Sequence, residues 1–150
     1  MVGLRDFGEE DLAIFFEHQR DELALRMAAF PSRGRDAFLT HWRTNVLRPG
    51  NLIRTVVVDG GVAGYVSSWE QDGPRLVAYW IGREHWGKGV ATRALSEFLS
   101  IERTRPLHAY VAEHNAGSIR VLEKCGFRRS ARETTPPAED GVTEVLLVLA

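Results

Sequence analysis

Tyr79-Trp80-Ile81-Gly82-Arg83-Glu84-His85-Trp86-Gly87-Lys88-Gly89-Val90-Ala91-Thr92 is the stretch on which the fold of this chain turns. An apolar extended run stops at a turn, and a helical pattern begins directly behind Gly87 and Gly89. Glycine lets a main chain approach a ligand with no Cβ in the way. A helix start adds unpaired N–H groups carrying a partial positive charge. Together they predict a cradle for an anion, so a phosphate-bearing ligand is expected.

The elements around this stretch arrange themselves by their periodicity. Downstream, Val90, Ala91, Ala94, Leu95, Phe98 and Leu99 give paired apolar positions every four residues, a helix with one buried face. Residues 107–112 are rich in strand formers, residues 116–124 read as a short helix, and Gly126 stands where a left-handed cap belongs. Two last strands, 127–132 and 142–149, are expected around the loop Thr135-Pro136-Pro137. Upstream, strands at 52–59 and 62–70 are joined by Gly60-Gly61 as a hairpin, and Asp72-Gly73-Pro74 turns the chain into a third strand at 75–82. Before these come a short strand at 2–7 and a helix carrying Leu12, Phe15, Phe16, Gln19 and Leu23. A second helix carries Phe38, Leu39, Trp42 and Val46 and ends at Pro49-Gly50. Strand, helix, strand between 75 and 112 forms a right-handed crossover unit, so the sheet is mixed: an antiparallel meander with one parallel join.

The 150 residues suit a single domain, 1–150, with a real core. A formal net charge of -1, with 26% charged residues, supplies no overall positive field, so neither nucleic acid nor an anionic membrane is an expected partner. A phosphate must then be held by local geometry. Cys125 is the sole cysteine, which excludes an internal disulfide and suits a reducing cytoplasm. It reads as a small buried hydrophobe. The five histidines do not pair with it or with each other at zinc-ligand intervals, and no metal is expected. The start, Met1-Val2-Gly3-Leu4-Arg5-Asp6, lacks a signal peptide's apolar centre, and no run reaches membrane length; a cytoplasmic protein is the expectation.

Among phosphate ligands, a nucleoside triphosphate is the obvious rival, because residues 82–88 fit seven of the eight positions of the Walker A pattern. The eighth needs Ser or Thr to ligate Mg²⁺, and Gly89 stands there without a side chain. No later strand ends in an aspartate placed as a second metal ligand, and a mixed sheet is not the parallel kind such sites use.

The segment instead resembles motif A of the GNAT acetyltransferase superfamily, whose aromatic-rich strand leads to a loop of the form Gln/Arg-x-x-Gly-x-Gly/Ala. Here the loop reads Trp86-Gly87-Lys88-Gly89-Val90-Ala91, with Trp in place of Gln or Arg. That replacement is similar to the Rim-type subgroup, the ribosomal-protein alanine acetyltransferases. Downstream, Asn115-Ala116-Gly117-Ser118 and Glu123-Lys124-Cys125-Gly126-Phe127 resemble the same subgroup's second signature. The resemblance spans nearly all of the chain, residues 9–47 being its variable part. It implies a GNAT-like α/β fold (α+β, mixed sheet), mostly antiparallel and splayed at its centre, with helices on both faces.

It also implies acetyl-CoA as co-substrate, its pyrophosphate on the amides of Gly87, Lys88, Gly89, Val90, Ala91 and Thr92, beside Trp86. The pantetheine arm would pair like an extra strand with Tyr79, Trp80 and Ile81, and Asn115 would hydrogen-bond it; an Asn before Ala116-Gly117-Ser118 alternatively reads as a helix N-cap, and the two roles are compatible. The reaction would be direct attack of a primary amine, on a protein N-terminus or a small molecule, with the oxyanion met by a backbone N–H at 79–81. Many family members carry a Tyr acid seven residues after the Asn; here that position is Leu122. Ser118 is the replacement expected near the thiolate, and it alternatively reads as a first-turn residue bonding local backbone. The strand carboxylate found in many relatives is Leu76 here, which leaves Glu70 and Glu113 as candidate bases; His85 and His114 lie nearby in sequence. Trp69 and Trp80 are placed to wall an acceptor groove, and Arg33 and Arg35 hint at an anionic acceptor. The missing Tyr and strand carboxylate keep a second class open, a non-catalytic acyl-CoA-binding sensor or interaction domain. Free sheet edges and amphipathic helices would permit a homodimer.

Overall fold

The computed structural model describes residues 1–28, 33–134 and 143–150. Seven strands form one sheet: β1 (Val2–Asp6), β2 (Leu52–Val58), β3 (Gly61–Glu70), β4 (Arg75–Ile81), β5 (Leu107–Ala112), β6 (Arg128–Thr134) and β7 (Glu144–Leu149). Their spatial order is β1-β2-β3-β4-β5-β7-β6, antiparallel throughout except between β4 and β5. The helices are α1 (Asp11–Gln19), α2 (Glu22–Ala28), α3 (Arg35–His41), α4 (Val90–Leu99) and α5 (Ala116–Lys124). This is the mixed, mostly antiparallel architecture that the periodicity predicts.

The period-two strands bury both faces. On one face Val56, Val66, Val77 and Ile81 pack against Ala94, Leu95 and Phe98 of α4 and Leu122 of α5. On the other, Ile53 lies with Leu12 and Phe15 of α1, Phe38 of α3 and the neighbouring Trp42. Tyr65 presents its ring at 84° to that of Trp42, centroids 4.8 Å apart, in the edge-on geometry that aromatic quadrupoles favour. One carboxylate ties this layer to the sheet. Asp11, 1% exposed, accepts from Arg5 Nη2 at 2.7 Å, the Gly8 N–H at 3.0 Å and Thr55 Oγ1 at 2.7 Å. Desolvation works to raise its pKa, but these donors prevail and hold it below the ordinary carboxylate range.

Three local expectations are corrected. The first helix does not run on through Leu23. It stops at Gln19, and Asp21 Oδ1 accepts from the Leu23 N–H at 3.3 Å to start α2 afresh. The second helical segment widens after His41 into a π turn, Trp42–Val46, in which the Leu47 N–H returns to the Trp42 carbonyl. The β2–β3 hairpin turns on Asp59-Gly60 rather than Gly60-Gly61. Both turn residues have positive φ, 49° and 85°, the pair that a tight twist-matched hairpin requires. The last strands begin and end within two residues of expectation, and the loop read at Thr135-Pro136-Pro137 lies outside the described residues. No helix among the described residues is long and apolar enough to cross a membrane.

Candidate active site

The parallel join is the origin of the site. β4 and β5 pair only at Arg75↔Leu107 and Leu76↔His108. Past this point β4 stays with β3 as far as Ile81, and β5 stays with β7 as far as Ala112, so the two diverge and leave a wedge between them. A buried ion pair stands at the root of the wedge. Glu102, just past α4, accepts from Ser68 Oγ at 2.5 Å, Arg75 Nε at 3.0 Å and the Thr104 N–H at 3.1 Å. Desolvation pushes the Glu102 carboxyl up; the hydrogen bonds outweigh it and the net shift is downward.

The wall of the wedge on β4 follows from register. The Gly82 N–H donates to the Ala63 carbonyl at 2.8 Å, so alternation commits the backbone of Trp80 to Tyr65 on β3. Tyr79 and Ile81 therefore turn their peptide groups toward the gap. Of these, the Ile81 carbonyl is taken by Trp86 Nε1 at 2.8 Å. The backbone groups of 79–81 left facing the gap without a bond among the described residues are thus the N–H and C=O of Tyr79 and the N–H of Ile81.

Beyond β4 a short 3₁₀ turn, Arg83–His85, leads into the glycine loop, and Arg83 anchors it to the α1–α2 junction through Asp21 at 3.0 Å. Gly87 and Gly89 adopt φ of 75° and 78°, a left-handed bend that side-chain-bearing residues resist. α4 starts at Val90, no side chain caps it, and its first return bond runs from the Arg93 N–H to the Gly89 carbonyl. The amides of Val90, Ala91 and Thr92 precede that bond and have no partner within the helix. They border a cavity of about 480 Å³ that Arg120 and Lys124 of α5 also line. Free amide donors, a helix dipole and two cations together suit a polyanionic ligand such as a pyrophosphate.

A second cavity, about 580 Å³, is lined by residues of both β4 and β5 and reaches Trp69, Glu70, Gln71, Tyr65 and Arg33. The two cavities share Ala28, Tyr79, Trp80, Asn115 and Ser118. At this junction Asn115 caps α5, its Oδ1 accepting from the Ser118 N–H at 3.2 Å. That bond fixes the first turn, and Ser118 Oγ stands 2.7 Å from the Tyr79 hydroxyl. Burial, partly offset by Ser118, raises the Tyr79 phenol to about 12. Tyr65 is likewise raised to about 12 by burial.

Other residues singled out in the sequence scatter. Glu70 is exposed at the end of β3, on the rim of the second cavity. Glu113 is exposed, its backbone N–H bonds the Thr143 carbonyl, and it lines neither cavity. Lys88 is exposed on the loop, whereas His85 lines the first cavity. His114 bonds the Arg26 carbonyl through Nε2 at 2.8 Å, tying α2 over the end of β5. Leu122 is buried in the core. Cys125 is half-buried with its thiol raised by desolvation. No group of three or more metal-ligating side chains occurs among the described residues. Sequence reading missed the Tyr79 phenol, hidden in a strand, and the cations Arg120 and Lys124. The four-residue spacing of those cations on a helix opened by Asn115 was the available signal.

A sequence model of the acetyltransferase (GNAT) domain matches residues 2–128. The chain belongs to the GNAT acetyltransferase family. The uncharacterized N-acetyltransferase p20 of Bacillus licheniformis is 31% identical over 74 residues, which is 46% of this chain and 41% of that relative's length. The chain thus matches less than half of that relative. Among solved structures, yncA of Salmonella typhimurium, determined with its cofactor acetyl-CoA, superposes with a TM-score of 0.78. The superposition covers 99% of this chain and 92% of that one at 22% identity. RimL, a ribosomal L7/L12 alpha-N-protein acetyltransferase in complex with coenzyme A, gives a TM-score of 0.80 at 15% identity. It covers 98% of this chain and 92% of its own. The GNAT fold, with its single parallel pair and helices on both faces, is therefore established for this chain.

Proposed function

We propose that the protein transfers an acetyl group from acetyl-CoA to a primary amine by direct attack, as a cytoplasmic N-acetyltransferase of the Rim-type subgroup. The observation that carries this reading is the meeting of two cavities at one wedge, a donor-lined one on the glycine loop and an aromatic-walled one adjoining it. The amides at 87–92, with Arg120 and Lys124, hold the pyrophosphate. Tyr79 and Ile81 hold the pantetheine, with Asn115 beside it. When bound, acetyl-CoA supplies an activated thioester at the junction, where Ser118 donates a proton to the leaving sulfur.

Acceptor chemistry follows from magnitudes. A peptide α-amine costs about 1 kcal/mol to deprotonate at pH 7, a lysine-like amine roughly 4–5. Glu70, exposed on the rim, offers at most a weak base through water, and this suits a protein N-terminus better than a strongly basic alkylamine. The test is thiol release from acetyl-CoA with alanine- and serine-initiated peptides, spermidine and kanamycin, followed by mass spectrometry of the products. Acetylated peptide is the expected product. Tight CoA binding with no turnover across the panel defeats the catalytic assignment.

A further inference from the structure

We propose that Tyr79 and Ser118 form a two-hydroxyl relay that carries the acceptor's proton across the junction to the leaving sulfur. The inference rests on the acetyltransferase reading above and adds the path of the proton. Among the described residues, Tyr79 and Ser118 bear the only side-chain hydroxyls that line both cavities, and their oxygens are 2.7 Å apart. The Asn115 cap fixes the Ser118 backbone in the first turn of α5, and Tyr79 lies on β4 opposite Val66 with its side chain packed against the core. The helical position where other members carry a tyrosine holds Leu122, packed in the core, so the hydroxyl comes instead from the strand.

The stoichiometry of the reaction suits such a chain. As the amine nitrogen bonds to the acyl carbon, the carbon–sulfur bond breaks, the nitrogen must shed one proton, and the sulfur must gain one. Tyr79 Oη takes the proton from nitrogen and passes its own to Ser118 Oγ, and Ser118 passes its own to sulfur. Both hydroxyls end as they began, and no external acid or base is consumed. A phenol titrating at about 12 remains protonated across the working range and never rests as phenolate. Cys125 is the titratable group that acts on it electrostatically, and burial holds that thiol neutral at pH 7.

The experiment compares wild type, Tyr79→Phe, Ser118→Ala, the double variant and Ser118→Thr, all checked for native circular dichroism. Calorimetry first measures CoA and desulfo-CoA binding at pH 7 and pH 9. If the hydroxyls donate to sulfur, CoA tightens about tenfold as its thiol ionises, desulfo-CoA does not, and the gain vanishes in Tyr79→Phe and Ser118→Ala. Turnover is then followed with whichever amine of the panel above is acetylated. Each single variant is expected to lose about a hundredfold in kcat, the double variant no more than either, and Ser118→Thr to recover most of it. Wild type should show a curved proton inventory in mixed H₂O and D₂O, and Tyr79→Phe a straight one. Losses that multiply in the double variant, a Tyr79→Phe kcat within threefold of wild type, or a pH gain shared by desulfo-CoA overturn the relay while leaving the acetyltransferase reading intact. A wild type that binds no CoA overturns both.

Discussion

Gly89→Ala separates a cradle from an ordinary turn. Gly89 sits at φ 78°, ψ 9°, and a Cβ built on it meets no atom within 4 Å, so the penalty is dihedral and not steric. Left-handed backbone costs an L-residue about 1–2 kcal/mol. For a chain of this size that lowers the melting temperature by roughly 2–8 °C. Gly60→Ala is the matched control, since Gly60 has φ 85°, equally open surroundings and a place in the β2–β3 turn away from both cavities. The two variants should lose similar stability in urea. Only Gly89→Ala should lose CoA affinity, because relief of the strain swings the peptide that leads into the amides of Val90, Ala91 and Thr92. Misaiming one charge-assisted bond forfeits about 1.5–3 kcal/mol, a tenfold to hundredfold rise in Kd by calorimetry. If Gly89→Ala melts early yet binds CoA like wild type, the loop is a turn and nothing more.

Three further outcomes follow from other parts of the molecule. The folded-state pKa values of Asp11 and Glu102 are depressed, so their contribution to stability is present above the unfolded carboxylate range and lost as pH falls through the lower folded values. Urea midpoints should therefore fall steeply below about pH 4, and Asp11→Asn should flatten that limb; an unchanged slope refutes the assignment. Asn115→Ala removes the cap of α5 and should cost about 1 kcal/mol in urea denaturation, while lowering kcat further because Ser118 loses its anchor. Arg120→Ala with Lys124→Ala should weaken CoA binding about fivefold at low salt and hardly at all at 1 M, which titration at two ionic strengths would read.

What the chain shows without its fold is local and repetitive. The burial periods of β2, β3, β4, α4 and α5, the glycine pair at 87 and 89, and the asparagine before residue 116 depend on neighbours within about one turn or one hairpin. They suffice for the order of elements and the mixed sheet, and they mark the glycine turn proposed as the cradle. The break at Asp21 and the π turn after His41 were not legible, because each depends on a competition between a single side chain or carbonyl and a regular helix. The same limit applies to the site. Residues 79 and 118 are far apart in sequence, and only the packing of α5 against the sheet brings their hydroxyls to 2.7 Å. Glu113 is two residues from Asn115 but lines neither cavity, since proximity along a chain says nothing of direction at a strand's end. Periodicity records which face is buried, and tertiary packing alone decides which buried polar groups meet.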